Sequence, residues 1–219
     1  MNRVFVLSPA NCNGLRAQWV LRKNSRLELA QRLRGSGAPL GEVFSFLSAL
    51  YFRGKLTYAS FFARPPSGCA GIFIITPTAG LVPHDTIIRH SRLRGFGRVP
   101  INVKNRVYRS ALRRTARKLL AETACDCEVI LLGSLASRKY LDVLGPVFGS
   151  RLRAPAEFIG LGDMSRGGLL LRCVRENSEL AYVDALTLVE AAGNEVSAAK
   201  RNRSRMISRT DVKINSGIL

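Results

Sequence analysis

Hydrophobic and polar positions along the chain fall into blocks of two kinds. Arg3–Leu7, Ile72–Thr76 and Val129–Leu132 are short, almost wholly apolar runs, each closed by turn-forming residues: Ser8-Pro9, Pro77 and Gly133-Ser134. A run of that length with no alternation reads as a strand buried on both faces. A further strand is predicted at Phe158-Ile159, ahead of a glycine-rich segment. Between the strands the period lengthens. Leu15, Trp19, Leu27, Ala30 and Leu33 fall near helical spacing and stop at Gly35-Ser36-Gly37. Pro39 suits the first turn of a second helix, which runs through Phe52 with apolar side chains nearly all round. Such a helix is buried on most sides, and Pro65-Pro66-Ser67-Gly68 is its firm stop. A long loop is expected from Pro77 to Gly97, then a basic helix over residues 104–121 with Val107, Leu112, Leu119 and Leu120 as its apolar members. A helix from about Arg138 to Leu144 follows. Leu169–Val174 and Leu180–Val183 fit a hairpin around Asn177-Ser178, with a helix as the alternative.

Apolar strands alternating with helices predict an α/β fold: a single three-layer domain over residues 1–193, around a small, mostly parallel sheet. From Asn194 the apolar pattern fades while Lys200, Arg201, Arg203, Arg205 and Arg209 crowd together. Residues 194–219 are therefore expected to form a basic flexible tail.

Charge changes the picture more than composition does. At 47% hydrophobic the 219 residues can build a core, which excludes a wholly disordered chain. Lys and Arg number 34 against 15 acids, a net charge of +19, and 27 of the bases are Arg, whose planar fork suits phosphate. The first 121 residues hold 21 bases and only three acids, Glu28, Glu42 and Asp85, whereas the remainder holds 13 bases and 12 acids. That asymmetry points to DNA or RNA as partner, although a ribosomal or anionic-membrane surface leaves a similar footprint. No apolar run approaches the roughly 18 residues of a membrane span, so no membrane insertion is expected. Five cysteines without a CxxC pair read as reduced thiols in a cytoplasmic protein, two histidines argue against a metal site, and no GxxxxGK[ST] segment or other cofactor motif occurs.

The candidate chemistry lies in six places. Arg89 to Lys118 carries eleven bases and no acid, and Arg106, Arg109, Arg113 and Arg117 share one helical face. With Arg89, Arg92, Arg94 and Arg98 they make a candidate phosphate-binding row, beside which Tyr108 and Phe96 offer stacking surfaces. Gly160-Leu-Gly-Asp163-Met-Ser165-Arg166-Gly-Gly168 lets backbone N–H groups approach an anion, with Ser165 and Arg166 as further donors and Asp163 as a general base or cation stabiliser. The segment from Thr76 to Asp85 supplies His84 and Asp85 as a second titratable pair. Gly133-Ser134 through Ser137, Lys139 and Tyr140 opens a helix that is suited to phosphate, though plain N-capping by Ser134 or Ser137 explains the serines equally well. In the loop Ser8 to Gly14, Asn11 or Asn13 can hydrogen-bond a base edge or simply make a turn. Phe44 and Phe46 are the candidates for stacking on an extruded base.

Val6-Leu7-Ser8-Pro9-Ala10 and Thr76-Pro77-Thr78-Ala79-Gly80-Leu81-Val82-Pro83 resemble strand ends of the bacterial peroxide-stress DNA-binding family, itself distantly similar to the uracil-DNA glycosylase-like α/β layout. The water-activating Gly, Asp and Pro of those glycosylases are missing after the first strand, as is a His-Pro-Ser segment near the end. The resemblance implies a DNA-binding α/β protein. The expected function is a nucleic-acid-binding protein, as a DNA repair enzyme acting on a base or N-glycosidic bond or, alternatively, a non-catalytic RNA- or ribosome-associated protein.

Overall fold

A computed structural model describes residues 1–135 and 138–189; the expected tail at 194–219 and Ser137 lie outside the described residues. Strand β1 (Arg3–Leu7) is followed by helices α1 (Leu15–Leu21) and α2 (Glu28–Arg34), then by the two-residue strand β2 (Ala38–Pro39) and the long helix α3 (Leu40–Phe62). Strands β3 (Ile72–Thr76), β4 (Gly80–Pro83) and β5 (Ile87–Ile88) come next, with helices α4 (His90–Gly97) and α5 (Arg106–Glu122). The last third of the described chain holds β6 (Glu128–Leu132), α6 (Leu141–Phe148), β7 (Leu152–Pro155), α7 (Asp163–Arg175) and β8 (Tyr182–Asp184).

The main sheet has the order β4-β3-β1-β6-β7-β8, and β2 pairs separately with β5. Strands β3, β1, β6 and β7 run parallel, while β4 and β8 close the edges antiparallel. Alternation along β1 sends Phe5 and Leu7 to one face and Val4 and Val6 to the other. Helices α1, α2, α3 and α7 cover the first face, and α5 and α6 cover the second, so the chain forms three layers around a mostly parallel sheet. Among the described residues no helix is long and apolar enough to cross a membrane.

Several local expectations give way to the structure. The helical stretch from Leu15 to Arg34 is two helices, because Arg22-Lys23-Asn24-Ser25 has nothing apolar to bury and makes a turn, with Ser25 N–H donating to the Arg22 carbonyl. The loop after β3 is a hairpin. The Thr76 hydroxyl accepts from Ala79 N–H and donates to the Gly80 carbonyl, and Gly80 takes φ +71°. A side chain at Gly80 would meet Thr115 Oγ1 at 2.2 Å, so only glycine fits the turn against α5. Phe158 is not in a strand: it ends a 3-10 turn, Ala156–Phe158, and the strand is the preceding Leu-Arg-Ala-Pro of β7. Residues 169–174 belong to α7 rather than to a hairpin, since Arg166, Gly167, Leu170 and Cys173 bury one face at three- and four-residue steps.

Candidate functional site

The chain leaves β1 toward β3 on one side and returns past it to β6 on the other, so the strand order reverses between β1 and β6. In a parallel sheet that reversal opens a crevice at the carboxyl ends of the two strands, the place where α/β folds bind ligands. A cavity of about 420 Å³ lies there. Pro9, Ala10, Asn11 and Asn13 line it from the loop after β1, Lys139 and Tyr140 from the loop after β6, Phe96 from α4, and Val99, Pro100 and Ile101 from the α4–α5 connection. The wall is mixed, with polar and apolar surface in about equal share. Asn11 Oδ1 accepts from Asn13 N–H at 2.9 Å, and the Asn11 amide donates no hydrogen bond among the described residues. A side chain at Gly97 would fall 2.6 Å from Asn13 Oδ1, so glycine there lets the carboxamide approach α4.

Behind this crevice lies a group that is unusual on physical grounds. Lys55 projects from α3 over the end of β1 and is only 1% exposed. Its Nζ donates to the Ser8 carbonyl at 2.6 Å and to Ser8 Oγ at 2.8 Å. The rings of Tyr51 and Phe52 face it at 4.4 and 4.8 Å. No carboxylate among the described residues hydrogen-bonds it. Burial pushes its pKa from the ordinary 10.5 down to about 7; Asp163 opposes that shift through space and Arg166 adds to it. Tyr51 Oη is buried without a hydrogen-bond partner among the described residues, and burial raises its pKa to about 12 against the pull of Arg166. Tyr140, whose hydroxyl lies by Ser8, is likewise pushed up by burial. The cluster therefore joins the ends of β1 and β6 to helices α3 and α7.

Two backbone features hold it. Ala49, just before Tyr51, takes φ +48° and ψ −122°, which breaks α3 into two segments and turns the second across α7. Gly54 and Gly167 then let α3 and α7 touch: a side chain at Gly54 would lie 2.8 Å from the Gly167 carbonyl oxygen, and one at Gly167 would lie 3.0 Å from Tyr51 Cα.

The basic row occupies α4, the following loop and α5. All eleven of its side chains are exposed. Five of them, Arg106, Arg109, Arg113, Arg114 and Arg117, surround one groove of about 390 Å³ with Ser110. Among the described residues the only ion pair in the row is Lys118 with Glu122 at 3.6 Å.

The other expected site residues are dispersed. Asp163 is exposed at the first position of α7, near Lys55, and pairs with Arg166 at 3.3 Å. Arg166 is buried and is spent on structure, with Nε and Nη2 donating to the Phe158 carbonyl at 3.2 and 2.9 Å. Ser165 is exposed on the helix, and the glycine at 167 serves helix packing rather than an anion cradle. The β3–β4 hairpin carries His84 and Asp85 to the amino end of β3, opposite Ile72 and Phe73, so they do not meet Asp163. Phe44 has no exposed surface; it packs edge-on against Phe52 and Phe96 in the core and is unavailable to a base. Phe46 is half-buried beside Arg16. Tyr108 is fully buried and donates to the Lys139 carbonyl, so it offers no stacking surface either. Sequence reasoning passes over Lys55 and Tyr51, although a lysine inside an apolar helix, four residues after a tyrosine, is the available signal. Comparisons of the chain with protein-family models, curated proteins and solved structures return no significant match.

Proposed function

We propose that this protein binds nucleic acid, with the phosphate backbone along α4 and α5 and one nucleotide offered to the crevice between β1 and β6. The observation that carries the reading is the row of eleven exposed bases, which among the described residues makes one ion pair, Lys118 with Glu122. Solvated helix faces ordinarily mix signs, because unrelieved like charge is repulsive. The row also runs into the crevice, since Val99, Pro100 and Ile101 form one of its walls. Lys139 and the carboxamides of Asn11 and Asn13 supply polar groups at that wall for a phosphate and a base edge. The likeness of the Ser8 and Thr76 segments to the peroxide-stress DNA-binding family supports the same partner.

The finer form of the reading is a repair enzyme acting on a base or N-glycosidic bond, with Asp163 activating water or stabilising a cationic sugar. Its exposed position beside the buried Lys55 at the carboxyl ends of the strands favours this over a purely non-catalytic RNA-binding role. Anisotropy titrations of single- and double-stranded oligonucleotides across a salt series test the binding. Log affinity should fall linearly with log salt, and replacing Arg109, Arg113 and Arg117 by Ala should flatten the slope by about 0.7–0.9 for each phosphate no longer neutralised. A salt-independent affinity would overturn the polyanion reading.

A further inference from the structure

We propose that Lys55 is an imine-forming amine whose substrate is the aldehyde of a sugar phosphate, either an abasic nucleotide within a strand or the free sugar phosphate. The phosphate in this proposal rests on the nucleic-acid reading, whereas the amine chemistry stands on the geometry around Nζ.

A protonated lysine has three N–H donors and no lone pair, whereas the neutral amine has two N–H donors and one lone pair. Nζ has two acceptors in reach among the described residues, both on Ser8. They satisfy the neutral amine fully and leave the ammonium one donor short in a fully buried place. The lone pair of the neutral form then points away from Ser8. Desolvation acts in the same direction and brings the amine to about half neutral near pH 7, the condition that a nucleophilic lysine needs. The groups around it come from each packed element: Tyr51 on α3, Asp163 and Arg166 on α7, Ser8 after β1 and Tyr140 after β6. Asp163 is the only acid among them.

In the step proposed, the Nζ lone pair adds to the aldehyde carbon and the carbonyl electrons move to its oxygen. One amine proton passes to that oxygen, giving a carbinolamine. Loss of water, with the second amine proton, leaves the C=N bond. No oxidant or reductant is consumed. Tyr51, whose ring faces Nζ at 4.4 Å and whose buried hydroxyl has no hydrogen-bond partner among the described residues, is the neighbour to which this proposal gives the proton relay. Tyr140 stands between the crevice and Ser8, so it must turn aside for the aldehyde to arrive.

The test treats the full chain with borohydride in the presence of an oligonucleotide containing one abasic site or, in a second arm, of 2-deoxyribose 5-phosphate. Peptide mapping by mass spectrometry then locates the reduced adduct. The expected result is an adduct on Lys55 ahead of every other lysine, falling roughly tenfold from pH 7 to about pH 5.5 as the amine is protonated. Lys55→Arg should fold, by its thermal unfolding curve, and give no adduct at that position. If that variant does not fold, mapping of the wild-type chain decides alone. Adduct from the oligonucleotide alone assigns the strand as the source, and adduct from both arms assigns the sugar phosphate itself. Lys55 labelled by the free sugar phosphate, with no oligonucleotide bound, keeps this inference and removes the nucleic-acid reading. Oligonucleotide binding without a Lys55 adduct in either arm overturns the inference and leaves that reading standing.

Discussion

The two sides of the central sheet carry positive charge in opposite ways. On the α5 side six bases, from Arg106 to Lys118, stand in water on one helix, where the cost is mutual repulsion and salt relieves it. On the α3 side a single lysine lies in the protein interior, where the cost is lost hydration and salt does little. The exposed row acts through its number and spacing, so removing one member weakens it by a fraction. The buried lysine acts through its surroundings, so changing one neighbour resets its chemistry. Net charge as a sequence quantity counts Lys55 and Arg113 alike; solvent exposure separates them.

The pH dependence of stability gives the largest expected contrast. The pKa of Lys55 is lower in the folded chain, at about 7, than its ordinary 10.5. Between those values the unfolded chain binds more protons, so stability contributed by this group rises with pH from about 7 to about 10.5. Below pH 7 the full burial penalty applies. Urea unfolding of wild type and Lys55→Met over that range should diverge by a few kcal/mol, the wild type gaining with pH. Parallel curves would place Lys55 among the exposed bases and dissolve the contrast.

The helix packing that buries Lys55 comes next. Gly54→Ala puts a methyl group 2.8 Å from the Gly167 carbonyl oxygen, where backbone cannot yield cheaply. A drop of about 1–3 kcal/mol is expected in denaturant unfolding. Ala49→Gly should act the other way. Ala49 sits at φ +48°, ψ −122°, a region that costs a non-glycine residue about 1–3 kcal/mol; glycine removes part of that cost, and its thermal midpoint should rise. On the opposite face the expected effect on stability is the smallest. Arg109→Ala, Arg113→Ala and Arg117→Ala should each move stability by no more than about 0.5 kcal/mol while lowering oligonucleotide affinity.

The same contrast explains what the sequence revealed. Strands β1, β3 and β6 were legible because a strand covered on both faces has no polar position to blur it, and α5 because its arginines are broken only by the residues that pack. Strand β7 was not, since Leu152-Arg-Ala-Pro155 offers too few apolar residues and its partner β6 defines it through pairing. The hairpin at Gly80 was hidden because its decisive neighbour, Thr115, is remote in sequence. For the site, the segments at Ser8 and Lys139 were recognisable as loops at the carboxyl ends of strands, whereas Asp163, read as part of such a loop, opens helix α7. Topology took His84 and Asp85 to the other end of β3, and the remaining failures were of burial: Phe44, Tyr108 and Arg166 read as available and are packed away, while Lys55 read as one base among many.

That one cation of this basic protein is held half neutral by its position can be measured directly. Lysine-selective ¹³Cε labelling with an NMR pH titration, assigned by the signal missing in Lys55→Met, reads the protonation of Nζ itself. The expected midpoint for Lys55 is near 7. A midpoint near the ordinary 10.5 would mean that the amine keeps its charge in the interior, and the buried neutral lysine would be refuted.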